Sequence, residues 1–335
     1  MSTNHNETEM QKPINEYAKY IKNLIPANIP ESYTLKPMFE SIGSEADIRN
    51  GVIAFRDFLY LFCDRLISDG HLYAKPRKTK NPDDYPFLNN INRFLIEIGC
   101  HGKLNESGIS LSKPKQRECI RFLSLCGFEF NGTEVQYPKN PIMLIGLKAL
   151  SIASKELQVR FVNNAHNLLR CDYRVIKAEE TDMTDVLKDF LHPLPENLQK
   201  FALDLHHRYT DMGMTCAKLD DNAVHIFYSY TKNSKRTLSI RDMYQRRVWQ
   251  FYLSMKHGYC IFVRAKKTDK YADAIKKFPL ALQEKITKGY GCDRKLRNER
   301  CQGGCQGIRI PLDESIIDMR RDIEVWLDNE MPRVK

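Results

Sequence analysis

The 335-residue sequence lacks the short motifs that indicate nucleotide hydrolysis, zinc-dependent proteolysis or serine hydrolysis. It contains no GxxxxGK[ST], no GxGxxG after a predicted strand, no HExxH and no GxSxG. Each of these motifs places backbone amides, metal ligands or a nucleophile at a fixed spacing, and the chemistry depends on that spacing. These kinds of enzyme therefore have no support in the sequence.

A long apolar run and an export signal are also missing. No stretch of about eighteen apolar residues occurs, so we expect no membrane helix. Residues 1–13 are polar and lack the apolar core of a signal peptide, and we expect them to form a disordered tail. Ten cysteines without an export signal favour a reducing compartment, where disulfides are rare. We therefore expect a cytoplasmic protein.

The composition is that of a folded protein with an uneven charge. Hydrophobic residues make up 42% and aromatic residues 10% of the chain, whose length predicts two domains. The net charge is +10, and residues 231–301 hold nineteen Lys and Arg against six Asp and Glu. A basic segment in a near-neutral chain is typical of a protein that binds nucleic acid or another acidic ligand. A solvated, lysine-rich surface is the alternative.

Three cysteines near the C-terminus form the most distinctive pattern. Cys292, Cys301 and Cys305 follow a C-x8-C-x3-C spacing in a glycine-rich loop, 289–307. Thiolates bind zinc well, and glycine permits the backbone conformations that let nearby sulfurs converge. We expect a structural zinc site with Cys260 as the fourth ligand. The next candidates for that fourth ligand are Cys216, His206 and His207.

Other interpretations of this loop stay open. Three cysteines also suit an iron–sulfur cluster with one corner left for another ligand. Three reduced cysteines without a metal are a further alternative. An enzyme with a reactive cysteine between residues 292 and 305 is the last, although the sequence selects no base to activate it.

Five short segments in the C-terminal part of the chain form a recognisable set: CDYR (171–174), GYGCDRK (289–295), CQGGCQG (301–307), LDESI (312–316) and WLDNE (326–330). With these segments the chain resembles an uncharacterised family of bacterial proteins that is common in anaerobic Gram-positive bacteria. The resemblance runs from about Pro138 to Glu330 and implies a bacterial, cytoplasmic protein. It implies no activity and no catalytic residue.

The first half of the chain is predicted to be mainly helical. Residues 14–178 are predicted to form a helical domain, in which a helix runs from an N-cap at Asp47 to about Ser68 and carries one apolar, aromatic-rich face. The order helix, short strand, helix and hairpin within residues 87–137 is that of a winged helix, with residues 113–125 as its recognition helix. Such a unit would bind DNA. Pro141 to Leu157 is apolar on most sides, and we expect it to lie buried between the domains.

The period changes to two after Met214, which predicts strands in a second domain, 184–331. Tyrosines interleaved with basic residues in this part are suited to stacking single-stranded bases. These are Tyr228, Tyr230, Tyr244 and Tyr252. A helix-covered antiparallel sheet with a lysine-rich edge is the alternative.

The fold class we expect is therefore α+β: a helical domain followed by an antiparallel sheet packed on helices, with a cysteine-rich loop. The function we expect is a zinc-stabilised binding module without catalytic activity. A nucleic-acid-binding regulator that uses residues 231–301 or the helix 113–125 is the alternative.

Overall fold

A computed structural model describes the chain over nine stretches. They are residues 14–73, 86–112, 116–156, 168–220, 223–230, 237–255, 257–266, 270–288 and 307–331. The architecture is α+β, as the sequence predicts, with many helices and two antiparallel sheets. The chain divides into two compact units, Met1–Thr181 and Asp182–Lys335.

The first unit consists of helices and one small sheet. Its helices are α1 (14–22), α2 (Glu45–Asp69), α3 (Pro86–His101), α4 (Arg117–Leu125) and α5 (Met143–Glu156). Its strands are β1 (Lys103–Asn105), β2 (Gly108–Ser110), β3 (Glu129–Asn131) and β4 (Glu134–Gln136), in the order β1-β2-β4-β3. Asn131-Gly132 forms the turn between β3 and β4, as expected, with Gly132 at φ +65°.

Helix α2 begins at a capping residue that was not predicted from the sequence. Ser44 is its N-cap, and the Ser44 hydroxyl accepts a hydrogen bond of 3.1 Å from the Asp47 backbone N–H. The prediction that Asp47 is the N-cap was wrong, because Asp47 lies in the first turn of α2. Its own carboxylate accepts a hydrogen bond from Ser44, which completes a capping pair.

The aromatic face of α2 is core, as predicted. Phe58 contacts the rings of Phe128 and Tyr137 edge-on, and Phe62 meets Phe122 in the same way. Rings that meet edge to face stabilise a core beyond the area they bury. This cluster joins α2 to α4 and to the hairpin β3–β4.

Helix α5 packs against α2 and α3 within the first unit. The backbones of α2 and α5 touch at Gly51 and Gly146. A Cβ atom on Gly51 would lie 2.5 Å from the Gly146 nitrogen, so only glycine fits. Two neighbouring helices of the first unit therefore cover much of the apolar surface of α5.

The CDYR segment belongs to the first unit. Cys171 is fully buried, and Asp172 and Arg174 form an ion pair of 3.3 Å. A buried thiol and a local ion pair are common structural features of a folded core.

The second unit is an antiparallel sheet with helices. Its helices are α6 (Met183–Leu191), α7 (Glu196–Asp211), α8 (Ile240–Gln245), α9 (Ala272–Ile275), α10 (Leu280–Lys288) and α11 (Arg320–Glu330). Its strands are β5 (Thr215–Asp220), β6 (Val224–Ser229), β7 (Arg247–Ser254), β8 (Gly258–Val263) and β9 (Ile308–Pro311), in the order β5-β6-β7-β8-β9. Ser239 is the N-cap of α8, and its hydroxyl accepts a hydrogen bond of 3.1 Å from the Asp242 backbone N–H.

One face of this sheet is apolar and packs on helices. Tyr228 and Trp249 stack on neighbouring strands with ring centroids 3.9 Å apart, and Tyr209 of α7 contacts the Trp249 ring. The Tyr209 hydroxyl donates a hydrogen bond of 2.9 Å to Asp328 of α11. Helices α7 and α11 are thus joined over the apolar face. On the opposite face, Tyr244 of α8 contacts His225 and Phe227.

Within the nine described stretches, no helix is both long enough and apolar enough to span a bilayer.

Candidate functional site

The second face of the five-stranded sheet carries polar and aromatic side chains, among them His225, Gln250 and Arg309, and we call it the polar face. Strand alternation and register place two adjacent rows of side chains there. The rows are His225, Tyr252 and Cys260, and beside them Phe227, Gln250, Phe262 and Arg309.

A β-bulge brings a third group of side chains to the polar face, beside these two rows. The register between β6 and β7 shifts after Tyr228, so that Arg247 rather than Val248 pairs with Ser229. A bulge turns the extra residue and re-aims its neighbours. The Arg247 guanidinium consequently lies over Phe262, a residue of the polar face.

Two arginines converge on one aromatic ring. The guanidinium carbon of Arg247 lies 5.3 Å from the centroid of Phe262, and that of Arg309 lies 5.4 Å from the same centroid. Arg247 also stacks on Tyr244 at 3.8 Å, and Arg309 lies 5.7 Å from the Tyr252 ring. Stacking orients a planar guanidinium, whose geometry suits phosphate or carboxylate. Arg247 Nη1 also donates a hydrogen bond of 2.8 Å to the Tyr244 backbone carbonyl.

More positive charge lies at the end of strand β8. Burial lowers the pKa of Lys266, and the positive charges of Arg264 and Arg247 lower it further, while Glu330 acts in the opposite direction. Arg264 follows β8 and donates its backbone N–H to Val248. Three cations are therefore close enough to repel one another, and an anion bound among them would relieve this repulsion.

The floor of the polar face is buried. Gln250 is 1% exposed and lies on the central strand between Phe227 and Phe262. Its Nε2 donates a hydrogen bond of 3.1 Å to His225 Nδ1, which also lies 3.3 Å from the Tyr244 hydroxyl. Because His225 Nδ1 accepts from the amide, the ring hydrogen belongs on Nε2.

The predicted zinc loop lies mostly outside the described residues. Cys292, Cys301 and Cys305 all fall in the stretch 289–306, so their zinc or iron–sulfur assignment stays a prediction. In the described stretches, no cluster of three or more His, Cys, Asp or Glu side chains is suited to a metal ion. Burial raises the pKa of the Cys260 thiol to about 12, so a metal would have to displace its proton.

The other candidates for a fourth ligand lie elsewhere. His206 is buried, with Nδ1 2.9 Å from the Tyr228 hydroxyl and Nε2 3.3 Å from the Thr184 hydroxyl. Cys216 pairs with Tyr228 across β5 and β6, on the face opposite Cys260. His207 is exposed on α7. Both His206 nitrogens thus already have partners, and the sheet separates Cys216 from Cys260.

The described cysteines do not resemble activated nucleophiles. Burial raises the pKa of Cys63, Cys126 and Cys216 to about 12 and that of Cys119 to about 11. A thiol is reactive as its thiolate, which these environments disfavour. A reactive cysteine between residues 292 and 305 stays a prediction.

The winged-helix assignment also stays a prediction. The structure adds a hairpin, β1–β2, where one short strand was expected, and α4 begins at Arg117 rather than at residue 113. Arg117 and Arg121 are exposed on α4, whereas Lys113 and Lys115 lie outside the described residues.

Sequence reasoning located this site only in part. It proposed Tyr244 and Tyr252, which contribute to the polar face, and Tyr228, which was wrong because Tyr228 is fully buried on the apolar face. It missed Arg309, which lies beyond the basic segment. A single arginine between Ile308 and Ile310 was the available signal, since alternation places it opposite two buried residues.

No family model matches the chain, and the comparisons with curated proteins and with solved structures find no match. The resemblance to the bacterial family therefore stays a prediction, and the function has to be argued from the site itself.

Proposed function

We propose that the second unit is a binding module for a phosphate-bearing ligand and that the ligand lies on the polar face of the five-stranded sheet. The observation that carries this proposal is the pair of guanidinium groups, Arg247 and Arg309, each about 5.4 Å or less from the centroid of Phe262. Arginines held by stacking are pre-organised for anions, so little side-chain entropy is lost when an anion binds.

The surrounding charge supports the same function. Lys266 and Arg264 add positive charge at the end of β8. Arg247, Arg264 and Arg309 are half-buried, which strengthens their attraction for an anion relative to fully solvated side chains. The basic segment 231–301 supplies most of these cations, and the adjoining Tyr244 and Tyr252 are suited to contact with bases. Nucleic acid and free phosphorylated molecules share this chemistry, and an experiment separates them.

The test is a titration of the full-length protein with three ligands: a fluorescein-labelled single-stranded oligonucleotide, a mononucleotide and inorganic phosphate. We expect the logarithm of the binding constant to fall linearly as the logarithm of the salt concentration rises. The slope is expected to be steeper for the oligonucleotide than for the two smaller ligands. Replacement of both Arg247 and Arg309 by Gln is expected to weaken binding about tenfold or more, because two charge-assisted hydrogen bonds are lost.

Arg321→Gln is the matched control. Arg321 is exposed on α11, which packs on the apolar side of the sheet, and its loss changes the net charge without touching the polar face. If this variant and the double variant R247Q/R309Q lost affinity equally per charge removed, the ligand would be held by net charge and not by the polar face. Absence of binding to all three ligands would contradict the proposal outright.

A further inference from the structure

Two segments of the first unit resemble each other in sequence. Residues 91–111 and 119–137 each contain Arg-Phe-Leu, with a glycine four residues after the leucine. In each segment an asparagine, Asn105 or Asn131, then precedes a β-branched residue, Ile109 or Val135, by four positions. The first segment has two more residues between its glycine and its asparagine. We call these segments the first and the second repeat.

The same positions are buried in both repeats. The buried residues of α3 and their counterparts in α4 are Ile91 and Cys119, Phe94 and Phe122, Leu95 and Leu123, and Ile98 and Cys126. In the hairpins that follow, the buried pairs are Ile109 and Val135, and Leu111 and Tyr137. Apolar residues at the same steps of a helix and of a hairpin form the same packing surface. The two repeats therefore share their structure as well as their sequence.

The strands of the two repeats are paired as a two-fold axis requires. The first repeat supplies β1 and β2, the second supplies β3 and β4, and the order β1-β2-β4-β3 places the second strand of each repeat at the centre. The central strands are antiparallel, and Ile109 lies opposite its own counterpart, Val135. Within the hairpins, Leu104 pairs with Ile109 as Phe130 pairs with Val135. A two-fold axis between Ile109 and Val135 would thus exchange the repeats.

Local structure and packing explain most of the shared residues, but they do not explain the shared arginine. The buried residues form the core, and Asn105 and Asn131 lie at the hairpin turns. Arg93 and Arg121 are exposed, and neither forms a hydrogen bond or an ion pair with another residue that the structure describes. An exposed charged side chain that is retained without a structural partner is typical of a binding surface.

The two arginines occupy equivalent positions on neighbouring helices. Because α3 and α4 contact each other, the axis that exchanges the repeats passes between these helices and relates Arg93 to Arg121. Exposed Glu97 and Glu129 lie in the same repeats, so the repeats do not attract anions through an excess of positive charge. Binding of an anion here would depend on direct contact with the two guanidinium groups.

We propose that residues 91–137 are a duplicated helix–hairpin module and that Arg93 and Arg121 form the two halves of a contact surface for duplex nucleic acid. The two strands of a duplex are antiparallel, so their phosphates are related by two-fold axes, and proteins with two equivalent halves use this match. Arginine binds phosphate through two parallel N–H···O bonds. This surface is separate from the polar face and does not require the phosphate site there.

The test is the binding of the full-length protein to a fluorescein-labelled DNA duplex at several salt concentrations. Each phosphate contact contributes about 0.9 to the slope of the logarithm of the binding constant against the logarithm of the salt concentration. Arg93→Gln and Arg121→Gln are each expected to reduce this slope by about one and to weaken duplex binding about tenfold. Because the two positions are equivalent, the two losses should be the same within the error of the measurement.

Arg117→Gln is the matched control. Arg117 is also exposed on α4, but its counterpart in the first repeat is Asn89, so the repeat does not select it. This variant loses the same charge from the same helix as R121Q, and we expect its slope and its affinity for the duplex to match those of the natural protein. Thermal melts of the three variants check that each one folds.

Each outcome supports or overturns the paired surface. Equal losses in R93Q and R121Q, with R117Q unchanged, support it. A loss in only one of the two, an equal loss in R117Q, or the absence of duplex binding overturns it. Duplex binding that is lost only in R247Q/R309Q also overturns it and leaves the polar face as the binding site. Mononucleotide binding by R93Q and R121Q should be unchanged, which keeps a failure of this proposal distinct from a failure of the phosphate site.

Discussion

Buried histidines on the two faces of the five-stranded sheet have different partners. His206 bonds to Tyr228 and Thr184 below the apolar face, whereas His225 bonds to Gln250 on the polar face. Burial lowers the pKa of His206, and the adjacent His207 lowers it further. Folding therefore favours the neutral imidazole of His206.

This shift predicts a loss of stability in acid. The pKa of His206 is lower in the folded chain than in the unfolded chain, where it is about 6.5. Its contribution to stability is therefore complete above about pH 6.5 and is lost as the pH falls through the folded value. We expect the melting temperature of the second unit to fall between about pH 7 and pH 5. His206→Gln should flatten that dependence, as followed by thermal melts at several pH values.

His207→Gln provides the comparison for the melts, because His207 is exposed on the same helix. Most of the pH dependence should survive this substitution. An unchanged slope in H206Q would show that another group titrates in this window.

At the scale of elements, the crossing of α2 and α5 depends on glycine. A Cβ atom on Gly51 would lie 2.7 Å from the carbonyl oxygen of Ile142, as well as 2.5 Å from the Gly146 nitrogen. Backbone atoms in a packed helix pair cannot move aside to make room for a Cβ atom, whereas the end of a flexible side chain can.

Gly51→Ala is therefore expected to destabilise the first unit by about 1 to 3 kcal/mol, the usual cost of overpacking. In a solvent-exposed helix the same change stabilises by about 1 kcal/mol, so the sign of the effect tests the contact. Urea denaturation gives the free energy of unfolding. Gly43→Ala is the control, because its Cβ atom would meet only ordinary contacts, 3.8 Å from Asp47 and 3.9 Å from Ile145. A neutral or stabilising G51A would disprove the close crossing.

The ion pairs between α7 and α11 contribute little to stability. Arg208 contacts Asp328 and Arg320 contacts Asp204, each at 2.7 Å, and all four side chains are about a third exposed or more. Exposed pairs of this kind contribute about 0 to 1 kcal/mol each. The apolar contacts beneath them, through Tyr209 and Trp249, hold these helices on the sheet.

For the whole molecule, the open chemical question is the cysteine-rich stretch that joins α10 to β9. We predict that protein purified without chelator contains about one zinc ion per chain and that substitution of Cys292, Cys301 and Cys305 by Ser removes it. A chelator is expected to lower the melting temperature of the second unit and to leave the first unit unchanged, because metal-binding energy becomes folding energy. Elemental analysis and calorimetry measure both effects.

Cys260→Ser separates the two parts of this prediction. If Cys260 is the fourth ligand, C260S loses zinc affinity, whereas Cys63→Ser, which replaces a buried cysteine of the first unit, keeps it. Metal-free protein with an unchanged melting transition would leave the three cysteines without a structural role.

The sequence alone was sufficient to predict the structural features that arise from local patterns of residues. Alternation predicted β5 to β8 and the two faces of the sheet, and the three-to-four residue period of α2 predicted its buried aromatic face. Errors arose where local signals compete, as at Ser44 and Asp47, which are both good capping residues. The α+β class followed from these periods together.

The candidate site was decided by tertiary structure. Arg247 and Arg309 are far apart in the chain, and they reach the ring of Phe262 only because β7, β8 and β9 are adjacent and a bulge re-aims Arg247. Hydrophobic periodicity is a property of neighbours along the chain, so the sequence by itself determined which residues share a face. Which strands lie side by side depends on long-range pairing that no local pattern records.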